Sequence, residues 1–441
     1  MPDGRVRGLV VITFVVLSSL LVGADERARV AEWSLDAPTG VTHAVLDNGV
    51  VLHHRAAAGQ PGRLLVSISL GGGRIEETAA NAGVSHAALL AFSEAQEAVR
   101  GGDCEIASLA DFDALTLTLA GTVEGVSRGM ERVAECLRRP RIEQGAFDAW
   151  RRRATAQVEL LNRSPEYCAS RALLQAVSGD DVRVTPVTPR QLERLEAAEA
   201  QRWIERLSRE APLEIALIGD VSWDRAKLLI EENFGRLPSR PRDAARLTNL
   251  RILARSGGPW EMHLPSPEGA QRSVFLIGFV HEGAGNARQK AAMELAQRIV
   301  ARRADALRSD DDDVRVRAER QSIPTYGEGG LFICGVSCAD TRIAELAERT
   351  RSLFETLAAE GPTAAELSAA REELRREGSA AAEDDRAWLR RLRHRVLRQR
   401  AEVATVTDTL GEITGEDVRQ ALAASFRPQR TFAVMVSPPP R

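Results

Sequence analysis

"LEIALIGDVSWDRAKLLIEENFGRLPSRP", residues 213–241, holds the pattern that decides the fold. Leu213 to Gly219 is a short apolar run, the mark of a buried strand. Asp220 to Ser222 then supply a helix start, and the helix ends near Phe234. From residue 236 to 262 the composition changes: "RLPSRPRDAARL" and "ARSGGPW" are rich in Pro, Arg and Gly, as a linker is. Beyond it strands and helices begin again. A strand "SVFLIGF" (273–279) precedes a helix near 286–304. A second strand "GGLFICGVSC" (329–338) precedes a helix near 341–359, and "TFAVMVS" (431–437) closes the chain.

The N-terminal side has the same mixture. "VTHAVLDNGVVLHHR" (41–55) is a hairpin turned at Asp47-Asn48-Gly49. "RLLVSISLGGG" (63–73) is a buried strand entering a glycine loop, and "FDALTLTLAG" (112–121) alternates as a strand. Helical stretches cover roughly 79–98, 123–138 and 143–162. Strict βαβ alternation is missing on both sides of the linker, so the pattern favours an α+β unit present twice. A length of 441 residues fits two domains of about 200 residues each. The proposed boundaries are 35–240, a linker at 241–262, and 263–439.

The totals limit the function. A hydrophobic fraction of 44% and a charged fraction of 27% belong to a globular protein, and a net charge of -3 argues against a nucleic-acid partner. Arg5 and Arg7 precede the apolar run Leu9–Val22, followed by Val22-Gly23-Ala24. This is the layout of a secretory signal over residues 1–24, or of an N-terminal anchor if uncleaved. The expected location is periplasmic or secreted. Cys104, Cys136, Cys168, Cys334 and Cys338 make an odd count, and no CxxC pair suggests zinc. Cys334 and Cys338 lie about 13 Å apart along a strand, too far to bridge, so free buried thiols are expected.

Four stretches in order resemble the pitrilysin/insulinase-type zinc peptidase family, in its short two-domain form related to mitochondrial processing peptidase subunits. They are "LDNGVVLHHR" (46–55), "GGGRIEETAANAGVSHAALLAF" (71–92), the opening stretch 213–241, and a C-terminal set. That set consists of "GPTAAELSAAREELRRE" (361–377) and "ITGEDVRQALAASFRPQRTFAVMVSPP" (413–439). The resemblance implies two homologous metallohydrolase-like domains, each an antiparallel-rich sheet packed by helices, facing each other across a cavity.

The family's zinc motif is H-x-x-E-H. Histidines four apart share a helix face and reach one ion, the glutamate works on the zinc-bound water, and a distant glutamate completes the ligands. Laid over residues 86–90, His86 matches the first ligand, Leu89 stands at the base and Leu90 at the second histidine. Counting back from Pro165 in "NRSPEY" puts Gln157 at the distant ligand, with Glu159 nearby on another side of the helix. Aliphatic side chains neither bind zinc nor move protons. The resemblance therefore implies a degenerate site with no catalytic residue and no cofactor, and His86 is expected to be a buried or half-buried histidine. His43, His53, His54 and His281-Glu282 build no second motif.

In "VRVRAERQSIPTYGEGGLFI" (314–333), Tyr326 with Arg320 or Arg317 resembles the family's substrate-holding tyrosine and arginine. "SDDDD" (309–313) lacks the spacing of a calcium loop and is expected to be solvated. "DRAWLRRLRHRVLRQR" (385–400) is a basic amphipathic helix with Trp388, Leu389, Leu392 and Val396 on one side. Its arginine face is expected in solvent, or else facing an acidic partner or lining the cavity. The function implied is an exported, inactive peptidase homologue serving as a structural or substrate-binding subunit beside an active zinc-bearing homologue. The partners are then that homologue and a peptide or unfolded polypeptide. Two alternatives stand: an active metalloendopeptidase with atypical zinc ligands, or a stand-alone peptide-binding envelope protein.

Overall fold

The computed structural model describes residues 14–15, 27–57, 61–251, 260–281, 287–308, 313–322, 330–339, 342–398, 409–427 and 430–438. The N-terminal half runs β1 (Phe14–Val15), β2 (Val30–Asp36), β3 (Val41–Leu46), β4 (Val51–Ala56), β5 (Arg63–Gly71), α1 (Val84–Ala88), α2 (Ser93–Ala98), β6 (Cys104–Ala110) and β7 (Ala114–Thr122). It continues α3 (Val123–Arg138), α4 (Gln144–Leu161), α5 (Pro165–Ser178), α6 (Pro189–Arg194), α7 (Ala197–Glu210), β8 (Leu213–Gly219) and α8 (Trp223–Phe234). The C-terminal half runs β9 (Trp260–Pro265), β10 (Ser273–His281), α9 (Ala287–Asp305), β11 (Arg315–Ser322), β12 (Gly330–Cys338), α10 (Ile343–Glu360), α11 (Ala364–Glu383), α12 (Asp385–Leu392), α13 (Gly415–Ser425) and β13 (Thr431–Ser437). The α+β class read from the sequence holds. The signal stretch lies outside the described residues except β1, which pairs antiparallel with Glu32–Trp33 of β2.

Two sheets form, in the orders β1-β2-β3-β4-β8-β5-β7-β6 and β11-β12-β10-β13-β9. Each is antiparallel apart from one pair, β4 with β8 and β9 with β13. Trp260, inside the Pro/Arg/Gly-rich stretch, already belongs to the second sheet, and Ala244 and Leu247 of that stretch are buried.

Side-chain parity sorts each sheet into two faces. On the first, Leu64, Val66, Ile68 and Leu70 of β5, Leu115, Leu117 and Leu119 of β7, and Leu213, Ile215 and Leu217 of β8 join one core with residues of α3, α7 and α8. On the second sheet, Phe275, Ile277, Phe279, Phe332, Cys334 and Val336 pack with α9, α10 and α13.

The remaining face of each sheet is covered by an element from the other half. Ala169, Ala172, Leu173, Ala176 and Val177 of α5 lie on Val274, Leu276, Leu331, Ile333, Phe432 and Val434 of the second sheet. Reciprocally, Trp388, Leu389 and Leu392 of α12 lie on Val41, Ala216 and Ile218 of the first. Local signals start these helices: Ser164 caps α5 with Pro165 in its first turn, and Thr363 and Glu366 form a capping box on α11.

Candidate functional site

Glu77 starts α1: its carboxylate accepts from the amides of Gly83 at 3.0 Å and Ser85 at 3.1 Å, and from Ser85 Oγ at 2.5 Å. Gly83 takes the left-handed conformation, φ 92°. The helix then lasts only to Ala88. Leu89–Phe92 tighten into a 3-10 turn before α2 resumes, where the sequence suggested one continuous helix. The positions equivalent to base and second ligand therefore sit past the break.

The imidazole of His86 is exposed, contrary to the buried histidine expected, because its neighbours Val84, Ser85, Ala87 and Ala88 take the packed side of this short helix. It has no hydrogen-bond partner among the described residues. Surrounding protein pushes its pKa below the ordinary value, Glu77 opposes that push and Arg74 adds to it. Leu89 and Leu90 are half-buried against the core. Helix α4 packs beside α1, and carries Gln157 and Glu159, both exposed. At positions 86, 89, 90 and 157 one imidazole is the single good zinc donor, and the Glu159 carboxylate lies on another side of α4 from Gln157. Leucines take the places of base and second ligand, and a neutral amide takes the third. The donor set does not fit a zinc ion.

Tyr326 lies outside the described residues, as do Glu282 and Ser309–Asp312. Arg320 shares its strand face with Val316 and Ala318, which pack on the helix layer, and its guanidinium pairs with Glu294 of α9. Arg317 is on the opposite face of β11, paired with Glu319. Asp313 pairs with Arg272 and accepts from the Ala339 amide at 2.8 Å. The five thiols are free: Cys104, Cys334 and Cys338 are buried, and Cys136 and Cys168 are half-buried.

A second cluster was not foreseen. Helix α12 stops at Leu392, and residues 393–398 continue as a strap over the second face of the first sheet. The arginine side of 385–400, expected in solvent, is partly consumed here. Arg395 Nη1 donates to His43 Nε2 at 2.9 Å, so His43 Nδ1 carries the proton it donates to His53 Nδ1 at 2.7 Å. His53 Nε2 is then the donor to Glu214 Oε1 at 3.0 Å. One direction of donation runs from the strap through two imidazoles to a carboxylate that is 2% exposed.

Glu214 also accepts from the amides of Arg395, Val396 and Leu397 at 2.6, 3.2 and 3.0 Å. Burial works against its charge, but the bonds from His53 and from those amides outweigh it and hold the carboxyl below its usual range. Burial, with His53 and Arg395 adding to it, pushes His43 down to about 3.

Three residues further on, Arg398 Nε and Nη2 reach Asp113 Oδ1 at 3.0 and 2.8 Å, and Nη2 reaches Asp111 Oδ2 at 2.9 Å. His394, with φ 61°, bonds Thr116 Oγ1 through Nε2 at 2.8 Å. Donor atoms of Asp111, Asp113 and His394 lie within 4.8 Å of one another, but the cation between the two carboxylates is the Arg398 guanidinium. No sequence spacing announces this cluster, since its members come from residues 43, 53, 111, 113, 214 and 394–398. Strand parity on β3, β4 and β8 is the one signal that groups three of them.

Residues 194–374 match the family model described as Peptidase M16 inactive domain. No curated protein matches the chain. Among solved structures it is similar to the periplasmic protease PqqL from Escherichia coli, at 14% identity and a TM-score of 0.76, covering 96% of this chain and 48% of that one. It is similar to a peptidase M16 inactive domain from Pseudomonas fluorescens at 15% identity and a TM-score of 0.76, covering 91% and 98%. A third is a mutant form of the ferredoxin protease FusC in complex with Arabidopsis ferredoxin, at 14% identity and a TM-score of 0.72, covering 96% and 48%. The chain spans about half the length of PqqL and of FusC. The inactive-domain match runs from the end of α6 into α11, and the solved structures share the fold of the whole chain.

Proposed function

We propose that this chain is a catalytically inactive, exported homologue of a zinc metallopeptidase that holds polypeptide, or supports an active homologue that cleaves it. One observation carries the reading: at residues 86, 89, 90 and 157 stand one exposed imidazole, two leucines and an amide. No general base and no second ligand remain, so water at His86 has nothing to activate it.

Polypeptide binding is supported by β6, which ends its sheet beside α1 with Glu105, Ala107 and Leu109 exposed. An open strand edge pairs with an extended peptide through main-chain hydrogen bonds. FusC, of the same fold, is captured with a protein bound. Export is supported by the N-terminal signal pattern and by the periplasmic setting of PqqL. No helix among the described residues is long and apolar enough to cross a membrane.

The test is metal analysis and peptide cleavage on the purified chain, alone and with a homologue carrying an intact H-x-x-E-H. The expected result is sub-stoichiometric zinc and no chelator-sensitive turnover from this chain alone. Stoichiometric zinc with turnover abolished by His86→Ala would overturn the proposal.

A further inference from the structure

The two exchanged contacts differ in chemistry. Where α5 covers the second sheet, the contact is apolar except at one end, where Ser337 Oγ donates to Glu166 Oε1 at 3.0 Å. Under the strap, the first sheet presents Ser67, Ser69, Thr116, His53 and Glu214, all at most 2% exposed, with Asp113 at the end of the face. A permanent core satisfies its buried polar groups. This one does so incompletely. The hydroxyl bonds Ser67–Ser69 and Ser69–Thr116 are long, 3.5 and 3.4 Å; His394 Nδ1 and Arg251 Nε are buried with no hydrogen-bond partner, although Arg251 Nη2 donates to the Leu397 carbonyl at 2.5 Å and lies 3.6 Å from Asp113 Oδ2. His394 is held in the left-handed region, which a non-glycine side chain resists. Trp388, Leu389 and Leu392 hold α12 on the sheet, while the strap's one buried apolar side chain, Leu397, sits in a separate cluster with Ile75, Phe112, Ala114, Ala244 and Leu247, so α12 can stay docked while residues 393–398 leave.

We propose that residues 393–398 are a displaceable internal ligand, and that the sheet face beneath them binds an extended polypeptide bearing an arginine. This rests on the reading of the chain as a polypeptide-binding subunit. The strap displays the recognition chemistry. Glu214 takes three successive main-chain amides, which any proline-free segment supplies, and the next residue delivers a guanidinium two-pronged to Asp113 and singly to Asp111. The ligand is therefore three amide-donating residues followed by arginine, as Arg395-Val396-Leu397-Arg398 is. A tethered strap competes at an effective concentration of about millimolar, so a free peptide enters appreciably only when the tether's own contacts are weakened.

The probe is a fluorescent peptide of residues 393–400, RHRVLRQR, titrated into the full chain. Arg398→Ala removes the internal guanidinium and leaves the receptor intact, so it should bind the peptide at least about tenfold more tightly than wild type. Adding Asp113→Asn to that variant, or replacing the sixth residue of the peptide by glutamine, should abolish the gain. Amide exchange at 395–397 in the wild type supplies a readout that needs no variant, and should be faster than at 215–218 of β8. A folded Arg398→Ala chain that binds no better than wild type, or strap amides as protected as those of β8, overturns the inference. Stoichiometric zinc with turnover strikes instead at the inactive reading, and leaves the strap experiment interpretable.

Discussion

Glu214 sits between Leu213 and Ile215 on β8, and parity turns its carboxylate to the strap while its neighbours enter the helix-side core. Glu214→Gln should be costly out of proportion to its size. One of two acceptor oxygens becomes an N–H facing donors, and a buried mispaired group costs about 2–4 kcal/mol, readable as a lowered urea midpoint. Acid should act in the same direction. His43 is held at about 3 and His394 at about 4, where burial and the Arg398 charge outweigh the nearby carboxylates. Both lie below the ordinary histidine value near 6.5, so below that pH the unfolded chain binds more protons than the folded one. Stability is thus full above about pH 6.5, and falls as pH drops toward about 4 and then 3. Asp111, held below its usual range by Arg398 against the push of burial, adds loss in the same direction further down. Denaturant midpoints measured from pH 7 to pH 4 should decline steadily; a flat profile would show that these imidazoles are not buried in solution. The resemblance of residues 86–90 to a zinc motif was legible because that motif is five adjacent letters. The charged face was not, because register and the strap unite residues up to 355 positions apart, from His43 to Arg398.

Elements with long periodic patterns were legible: α3 spans Val123–Arg138 and β13 Thr431–Ser437, as the sequence indicates. The hairpin turn was legible too. Gly49 has φ 86°, and a Cβ there would lie 2.1 Å from the Arg240 carbonyl oxygen. Gly49→Ala should lower stability by at least about 1–2 kcal/mol from backbone strain, before the clash is counted, as a thermal melt would show. β6 escaped the sequence reading because its alternation is short and its outer residues are exposed, leaving no strong apolar run. The end of α12 at Leu392 escaped it as well. The helical pattern continues through Val396, yet the amides of 395–397 find a better acceptor in Glu214 than in the preceding turn. Leu173, fully buried between α5 and the second sheet, anchors the other exchange. Leu173→Ala should cost about 2–5 kcal/mol, and the loss should appear in the unfolding of both halves.

The exchange of α5 and α12 makes the two halves one thermodynamic body. Calorimetry should give a single endotherm, with van't Hoff and calorimetric enthalpies in a ratio of about 1. Expressed separately, residues 27–251 keep α5 but lack the sheet that covers its apolar stripe, and their own sheet loses α12 and the strap. That fragment should self-associate, and co-expression of residues 260–441 should restore solubility, as gel filtration would report. Two separate transitions, or a monomeric well-folded fragment, would contradict this picture. Order of synthesis gives the exchange a further consequence. Helix α5 is made at residues 165–178, yet the surface it needs is finished only with β13 at 431–437. Throughout most of translation its greasy flank has nowhere to go, so a nascent chain must be shielded by a chaperone or kept unfolded until its last strand arrives.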